Sequence, residues 1–411
     1  MSLPAASNAV ATSVRTPARV DVFDGLRGIA IVLVVLSHGW TIWPSEYTLS
    51  HRPLSTLFAS GNFAVSIFFA VGMFVATLGL TRKAQSPAGL HPGVETLRRY
   101  VRLTGQVGFL LVVLALVTVF DDTDPNTDLG TRSSILRVLT YTWNWYLQKD
   151  AYDARADLGH LWYLSVYLQA FVLIAVVVWL LRRRPAWLVV VLATLLVGYE
   201  VWTAHVYATE GIYQALLRTS VRIDAPLTGA LAAASLPFLS RLRPYAGWLC
   251  AVSVLALVPL AYLTTPNAGY FGWPGYLTDV ALFGFVVGAV LAPVPRLVAA
   301  PLGFAPLAFL GSRSLGLYIW HYPVFYFVSR HHVDWHWGWR TALAIGLMLA
   351  CVIVSERLVE NRVQRALQSP GWRELDYGFL AFASRRWKAW RSRRAAARAV
   401  PKERPRQRTS A

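Results

Sequence analysis

Cysteine is nearly missing: Cys250 and Cys351 are the only two in 411 residues. Both fall inside apolar runs, so neither a disulfide framework nor a cysteine metal site is indicated. Charge is scarce too, at 15% of residues against 55% hydrophobic content. That balance excludes an ordinary soluble domain and points to a polytopic membrane protein. Acidic residues are the scarcer sign, 21 against 39 Lys and Arg, which leaves a formal net charge of +18. In a soluble chain this excess would suggest nucleic acid. Here it gathers in short loops and the C-terminal tail, where the preference for basic cytoplasmic loops accounts for it; no nucleic-acid partner is expected. No cleavable signal peptide is evident, because the N-terminus stays polar until Val22. A repeat period of about 20–50 residues is lacking, and so is a visible inverted repeat of the transporter kind.

What the chain has in quantity is long apolar runs. They predict an all-α protein of about ten transmembrane helices, each needing roughly 17–25 residues. The spans fall near residues 21–43, 57–80, 103–120, 160–181, 186–207, 220–239, 245–263, 276–297, 308–329 and 339–359. Three regions follow: a disordered cytoplasmic lead-in over 1–20, a transmembrane domain over 21–365, and a basic, amphipathic then disordered tail over 366–411. With both termini cytoplasmic, roughly 28 of the Lys and Arg lie inside and roughly 7 outside, as the charge rule asks. The acidic loop opening at Asp121 then falls outside, and the tail meets anionic lipid on the inner face.

The first span carries the pattern on which the rest depends. Asp24-Gly25-Leu26-Arg27-Gly28 ends a polar approach, and the apolar helix after it is interrupted by Ser37 and His38. At 1.5 Å per residue, His38 lies about 16 Å along the axis from Arg27. An ionisable residue inside a span is a functional candidate by default, although Asp24 also suits a helix cap and Arg27 a snorkelling cation. The other polar residues sort by depth. Towards the cytoplasm lie Arg27, Arg98, Arg99, Arg102, Arg313, Glu356 and Arg357, a cationic mouth suited to a phosphorylated ligand. Nearer the outer half lie His38, His160, Glu200, Arg222, Asp224, Asp279 and His321, groups of the kind that move protons. Each has a plainer reading: Arg98 to Arg102 as topology charge, Arg222 with Asp224 as a structural pair, and Trp320-His321-Tyr322 as an aromatic belt.

In these residues the chain resembles acyltransferase family 3, the integral membrane O-acyltransferases, over about 20–365. The likeness rests on Arg27, ten residues, then His38 within FDGLRGIAIVLVVLSH, and on VSIFF from Val65, RRYVRL from Arg98, HLWYLSV from His160, RIDAPLTGAL from Arg222, LYIWHYPVF from Leu317 and SERLVE from Ser355. The chain departs from the family's common pattern at Ser66, often Asp, and at Gly72-Met73, often Ser-Gly. It departs again at Tyr167-Leu168-Gln169, commonly Glu-Glu-Gln, and at Asn361, where Pro is usual. The ending in a basic tail is similar to the stand-alone type, without an extracytoplasmic hydrolase-like domain. The resemblance implies transfer of an acyl group, expected to be acetyl, from cytoplasmic acyl-CoA to a hydroxyl of a cell-envelope sugar or glycolipid, without a metal. Arg27, Arg98, Arg99 and Arg102 would bind the acyl-CoA phosphates. His38 would act as general base, or as a nucleophile through an acyl-histidine. Arg222 or Tyr318 would steady the oxyanion, with His321 in the same site. Membrane lipids and glycan-export or envelope-biosynthesis proteins are the implied partners, in the plasma membrane. A transporter or flippase for an anionic or sugar-linked solute, and a membrane sensor, are the alternatives from other classes.

Overall fold

The computed structural model describes residues 17–43, 52–265 and 267–399, and no strand occurs among them. The expected disordered stretches fall largely on residues 1–16 and 400–411, outside the described residues. The principal helices are α1 (Pro17–Ile42), α2 (Gly61–Ala84), α3 (Pro92–Phe120), α4 (Trp162–Leu180) and α5 (Pro185–Leu217). They continue as α6 (Asp224–Ser235), α7 (Ala246–Leu263), α8 (Trp273–Leu291), α9 (Ser314–His331) and α10 (Trp337–Ser355), with α11 (Phe379–Ala399) in the tail.

Eight helices among the described residues are long and apolar enough to cross a membrane. They match eight of the ten expected spans, and the chain is a multi-pass membrane protein. The other two expected crossings are segmented. At the sixth, Thr219–Arg222 ends at Ile223 and α6 restarts, where the Asp224 carboxylate accepts the Ala225 N–H at 2.8 Å and Pro226 follows within the first turn. At the ninth, Ala305–Ser312 and α9 meet at Arg313. Ten of the twelve residues of α6 are buried, as are Leu317 to His321 of α9. A broken or polar helix is tolerated at membrane depth where protein covers it. These two segments carry Arg222, Asp224, Tyr318 and His321. The lipid-facing surfaces belong to other helices, with Val112, Leu116 and Val119 exposed on α3 and Leu255 and Val258 on α7.

Small residues set the closest packing. A Cβ at Gly25 or Gly28 would collide with the carbonyls of Leu302 or Leu307, and one at Gly311 with the carbonyl of Asp24. The helix over Ala305–Ser312 therefore lies backbone to backbone on α1, as glycine permits between membrane helices. Gly229 of α6 meets the Ala70 carbonyl of α2 in the same way. In the tail, Pro370–Tyr377 returns to the bundle. Asp376 bonds to Lys83 at 3.1 Å and to Arg98 at 2.6 Å, which puts this segment at the same end of the bundle as the α2–α3 loop.

Candidate active site

A cavity of about 520 Å³ opens at that end, a volume typical of small-molecule sites. Its mouth is charged, with Lys83, Glu95, Arg98, Arg99, Arg102 and Glu360, and its walls are apolar, with Val75, Leu103 and Phe171 among them. It runs between α2, α3, α4 and α9 to Phe68, Tyr163, Ser314 and Tyr318. The glycine contacts of α1 explain how Arg27 reaches it: they bring the start of α9 alongside, and Arg27 donates to Asp24 Oδ1 at 3.0 Å and to Ser314 Oγ at 2.8 Å.

The arginines at the mouth are not equivalent. Arg98 is shared between Glu95 at 2.8 Å, Asp376 at 2.6 Å and the Trp372 carbonyl. Burial opposes ionisation of Asp376, yet hydrogen bonds from Arg98 and Lys83 outweigh it and hold the carboxyl below the usual carboxylate range. Arg99 lies over the Tyr167 and Phe171 rings, 5.5 and 4.9 Å from their centroids, and forms no ion pair among the described residues. Arg102, also unpaired there, lines the cavity with Glu360. So Arg99 and Arg102 line the cavity without an ion-pair partner among the described residues, while Arg98 ties the tail to the bundle. Tyr167, in the place of the family's common Glu, fills the space beside Gly72, where a Cβ would meet its ring at 3.2 Å. Two departures from the family pattern thus meet in space. A third, Ser66, bonds to the Tyr270 hydroxyl at 2.7 Å.

Beyond the cavity three histidines converge. His38 Nδ1 stands 2.7 Å from His321 Nε2, and the His160 ring centroid is 5.2 Å from that of His321. The LYIWHYP sequence of α9 builds this arrangement. Pro323 has no N–H to give to the carbonyl four residues earlier, and that carbonyl, Ile319, faces His160 Nε2 at 3.2 Å. One residue back, the Tyr318 carbonyl faces His321 Nδ1 at 2.8 Å, and the Tyr318 hydroxyl donates to the His160 carbonyl. Tyr318 therefore touches the cavity on one side and both inner histidines on the other. His38 is half-buried, whereas His160 and His321 are buried. None of the three lines the cavity, which ends at the Tyr163 and Tyr318 side chains.

Arg222 is not among the side chains that line the cavity. It is fully buried between the Trp162 and Tyr270 rings, at 5.2 and 4.6 Å, and its guanidinium has no hydrogen-bond partner among the described residues. The carboxylates of Glu200, Asp224 and Asp279 gather within 4.8 Å of one another, a spacing that suits a metal ion. The spans that hold these residues were legible from sequence, but their convergence was not.

The loop that delivers His160 holds an ion-pair network not foreseen from the sequence. Buried Arg155 donates to both oxygens of Asp157, at 3.0 and 2.7 Å, and pairs with Asp124 at 2.9 Å. Arg330, at the end of α9, pairs with Asp121 at 2.8 Å and Asp124 at 3.4 Å. Burial disfavours the Asp124 charge, but hydrogen bonds from Asn126 and Arg155 prevail and hold its carboxyl below the usual range. The network pins the turn over Ala156–Leu161 against α9, which sets His160 at its place. Its signal in the sequence was the charged DARAD run just before HLWYLSV.

The profile described as "Acyltransferase domain" matches residues 20–356. The peptidoglycan O-acetyltransferase OatA of Listeria monocytogenes is 23% identical over 375 residues, covering 84% of this chain and 56% of the relative. The O-acetyltransferase OatA of Staphylococcus aureus is 22% identical over 335 residues, covering 78% and 53%. The chain thus spans about half the length of the curated relatives it matches. No solved structure is significantly similar to it. With the Arg27-to-His38 helix, the arginine-lined cavity and the α9 motif inside the matched region, the chain belongs to the acyltransferase family that this domain defines.

Proposed function

We propose that this enzyme moves an acyl group, in the first instance acetyl, from cytoplasmic acyl-CoA to a hydroxyl of a cell-envelope sugar or glycolipid. It would do so in the plasma membrane with both termini inside. The single observation that carries the reading is the cavity that starts among Arg99 and Arg102, passes Arg27 and ends on Tyr318, the residue that holds His160 and His321. Arg is the side chain best matched to phosphate, through its planar fork of donors. The CoA phosphates would sit at the mouth, and the apolar walls suit the extended arm that leads the thioester inward.

His38 would take the acceptor hydroxyl proton as general base, a role typically worth about 10²–10⁴-fold. The acceptor oxygen then bonds to the thioester carbon, the C–S bond breaks, and the proton held on His38 passes to the departing thiolate. The Tyr318 hydroxyl is already donating to the His160 carbonyl. This leaves Arg222, whose guanidinium has no hydrogen-bond partner among the described residues, as the proposed stabiliser of the oxyanion. The Tyr163 and Tyr318 side chains must shift for thioester and His38 to meet. The names of the relatives support acetyl as the group and envelope polymer as the acceptor class. The test is incubation of membranes with radiolabelled acetyl-CoA and isolation of the labelled product. Label in a saponifiable sugar ester supports the proposal; no wild-type transfer above a host lacking the protein counts against it.

A further inference from the structure

We propose that His321 is a positioning residue that fixes the tautomer of His38, so that His38 presents a bare Nε2 to the reaction; this rests on His38 being the reactive imidazole. His321 Nδ1 lies 2.8 Å from the Tyr318 carbonyl and 3.2 Å from the Leu317 carbonyl. A carbonyl oxygen can only accept, so Nδ1 must carry a hydrogen. In neutral His321 this leaves Nε2 as an acceptor. Its neighbour at 2.7 Å is His38 Nδ1, which must then be the donor.

The ring geometry agrees. The two rings are inclined by 15° with centroids 5.0 Å apart. That separation is what near-coplanar imidazoles give when they meet nitrogen to nitrogen, and it puts the His321 lone pair in line with the His38 N–H. His38 Nδ1 is thereby occupied as a donor, and Nε2 holds the free lone pair. The orientation starts from the α9 backbone: Tyr318 C=O fixes His321, and His321 fixes His38. The identity of the ring nitrogen that carries the proton is set by the bond the other makes. The pair fits a base at His38 Nε2 and equally a nucleophile there, since either needs the same bare nitrogen. A proton gained at Nε2 gives a cation whose charge is shared with His321 through the Nδ1–H···Nε2 bond.

The test uses the full chain in lipid vesicles with ¹⁵N-labelled histidine. The His38 resonances are identified as those lost in His38→Gln. The wild type should show His38 with a protonated Nδ1 and an unprotonated Nε2. In His321→Leu the acceptor is gone, and His38 should revert to the Nε2–H form that free imidazole side chains prefer. Label transfer from [¹⁴C]acetyl-CoA in membranes should fall by at least about 10²-fold in kcat, as when a catalytic histidine takes the wrong tautomer elsewhere. The KM for acetyl-CoA should stay within about twofold, because His321 does not line the cavity. His321→Gln, whose amide oxygen can accept the His38 hydrogen, should recover at least about tenfold of that loss in kcat. If wild-type His38 carries its proton on Nε2, or if His321→Leu turns over like wild type while His38→Gln is dead, the pairing is wrong and the general assignment of His38 stands. If His38→Gln itself transfers acetyl normally, the assignment of His38 fails instead. The wild-type spectrum decides the matter even where the His321 variants fold poorly.

Discussion

Replacing Arg155 with Met should loosen the loop that carries His160, by an amount the geometry bounds. Arg155 is 1% exposed, and its partners Asp124 and Asp157 are 8% and 7% exposed. Removing the one cation from a buried pair typically costs about 3–5 kcal/mol, since the remaining charge is left uncompensated. Asp124 retains Arg330 at 3.4 Å, so the unpaired charge is chiefly that of Asp157. The lower end, about 3 kcal/mol, is expected. At roughly 2–4 °C per kcal/mol, the melting midpoint of the detergent-purified protein should drop by at most about 6–12 °C. Adding Asp157→Asn should return most of the loss, because no unpaired carboxylate then remains. Acid should act in the same direction as Arg155→Met. A carboxyl held low, such as Asp124, contributes its full stabilisation above the unfolded value of about 3.9 and loses it as pH falls through the folded value below that. The wild-type midpoint should therefore gain nothing from this group above about pH 5 and weaken below about pH 4. An Arg155→Met protein that melts within 1 °C of wild type, about 0.3–0.5 kcal/mol on the same scale, would refute the idea that this network holds the loop.

Further expectations concern the mouth and the topology. Arg99→Ala with Arg102→Ala should raise the apparent KM for acetyl-CoA tenfold or more, about 1.4 kcal/mol, with Lys replacements rescuing only in part; steady-state kinetics with varied donor reads this out. Asp376→Asn removes the carboxylate that Lys83 and Arg98 share. It should speed limited trypsin cleavage within α11, and an unchanged cleavage rate would show that the clamp is unimportant. In a Cys250→Ser, Cys351→Ser background, cysteines placed at Asp122 and Arg183 should react with impermeant thiol reagents from opposite faces, and labelling from one face alone would overturn the orientation.

The apolar runs made eight helices readable because length and composition alone suffice for a lipid-crossing segment. Where the two expected spans proved segmented, composition still read as apolar; the break at Ile223 has a local signal in Asp224 and Pro226, whereas the seating of Ala305–Ser312 on α1 depends on tertiary contacts. The Gly311 contact with the Asp24 carbonyl is one such contact. For the site, Arg27 and His38 were visible because one helix spaces them. The meeting of His38 with His321, 283 residues later, depends on packing that periodicity does not encode. Arg98 has partners that its sequence surroundings do not announce. Its charge suited a phosphate, yet Asp376 and the Trp372 carbonyl, from a stretch read as tail, already occupy it.

The central claim is that His38 is the reactive group of an acyl transfer, and its turnover is the most direct measurement. His38→Ala should reach the membrane in near wild-type amount, because transmembrane polar contacts average only about 0.6 kcal/mol. It should still bind acetyl-CoA, since the arginines at the cavity mouth are untouched. Label transfer should fall by roughly 10²-fold or more, with smaller losses in His160→Ala. A His38→Ala protein that is present, binds acetyl-CoA and transfers acetyl at the wild-type rate would contradict the account.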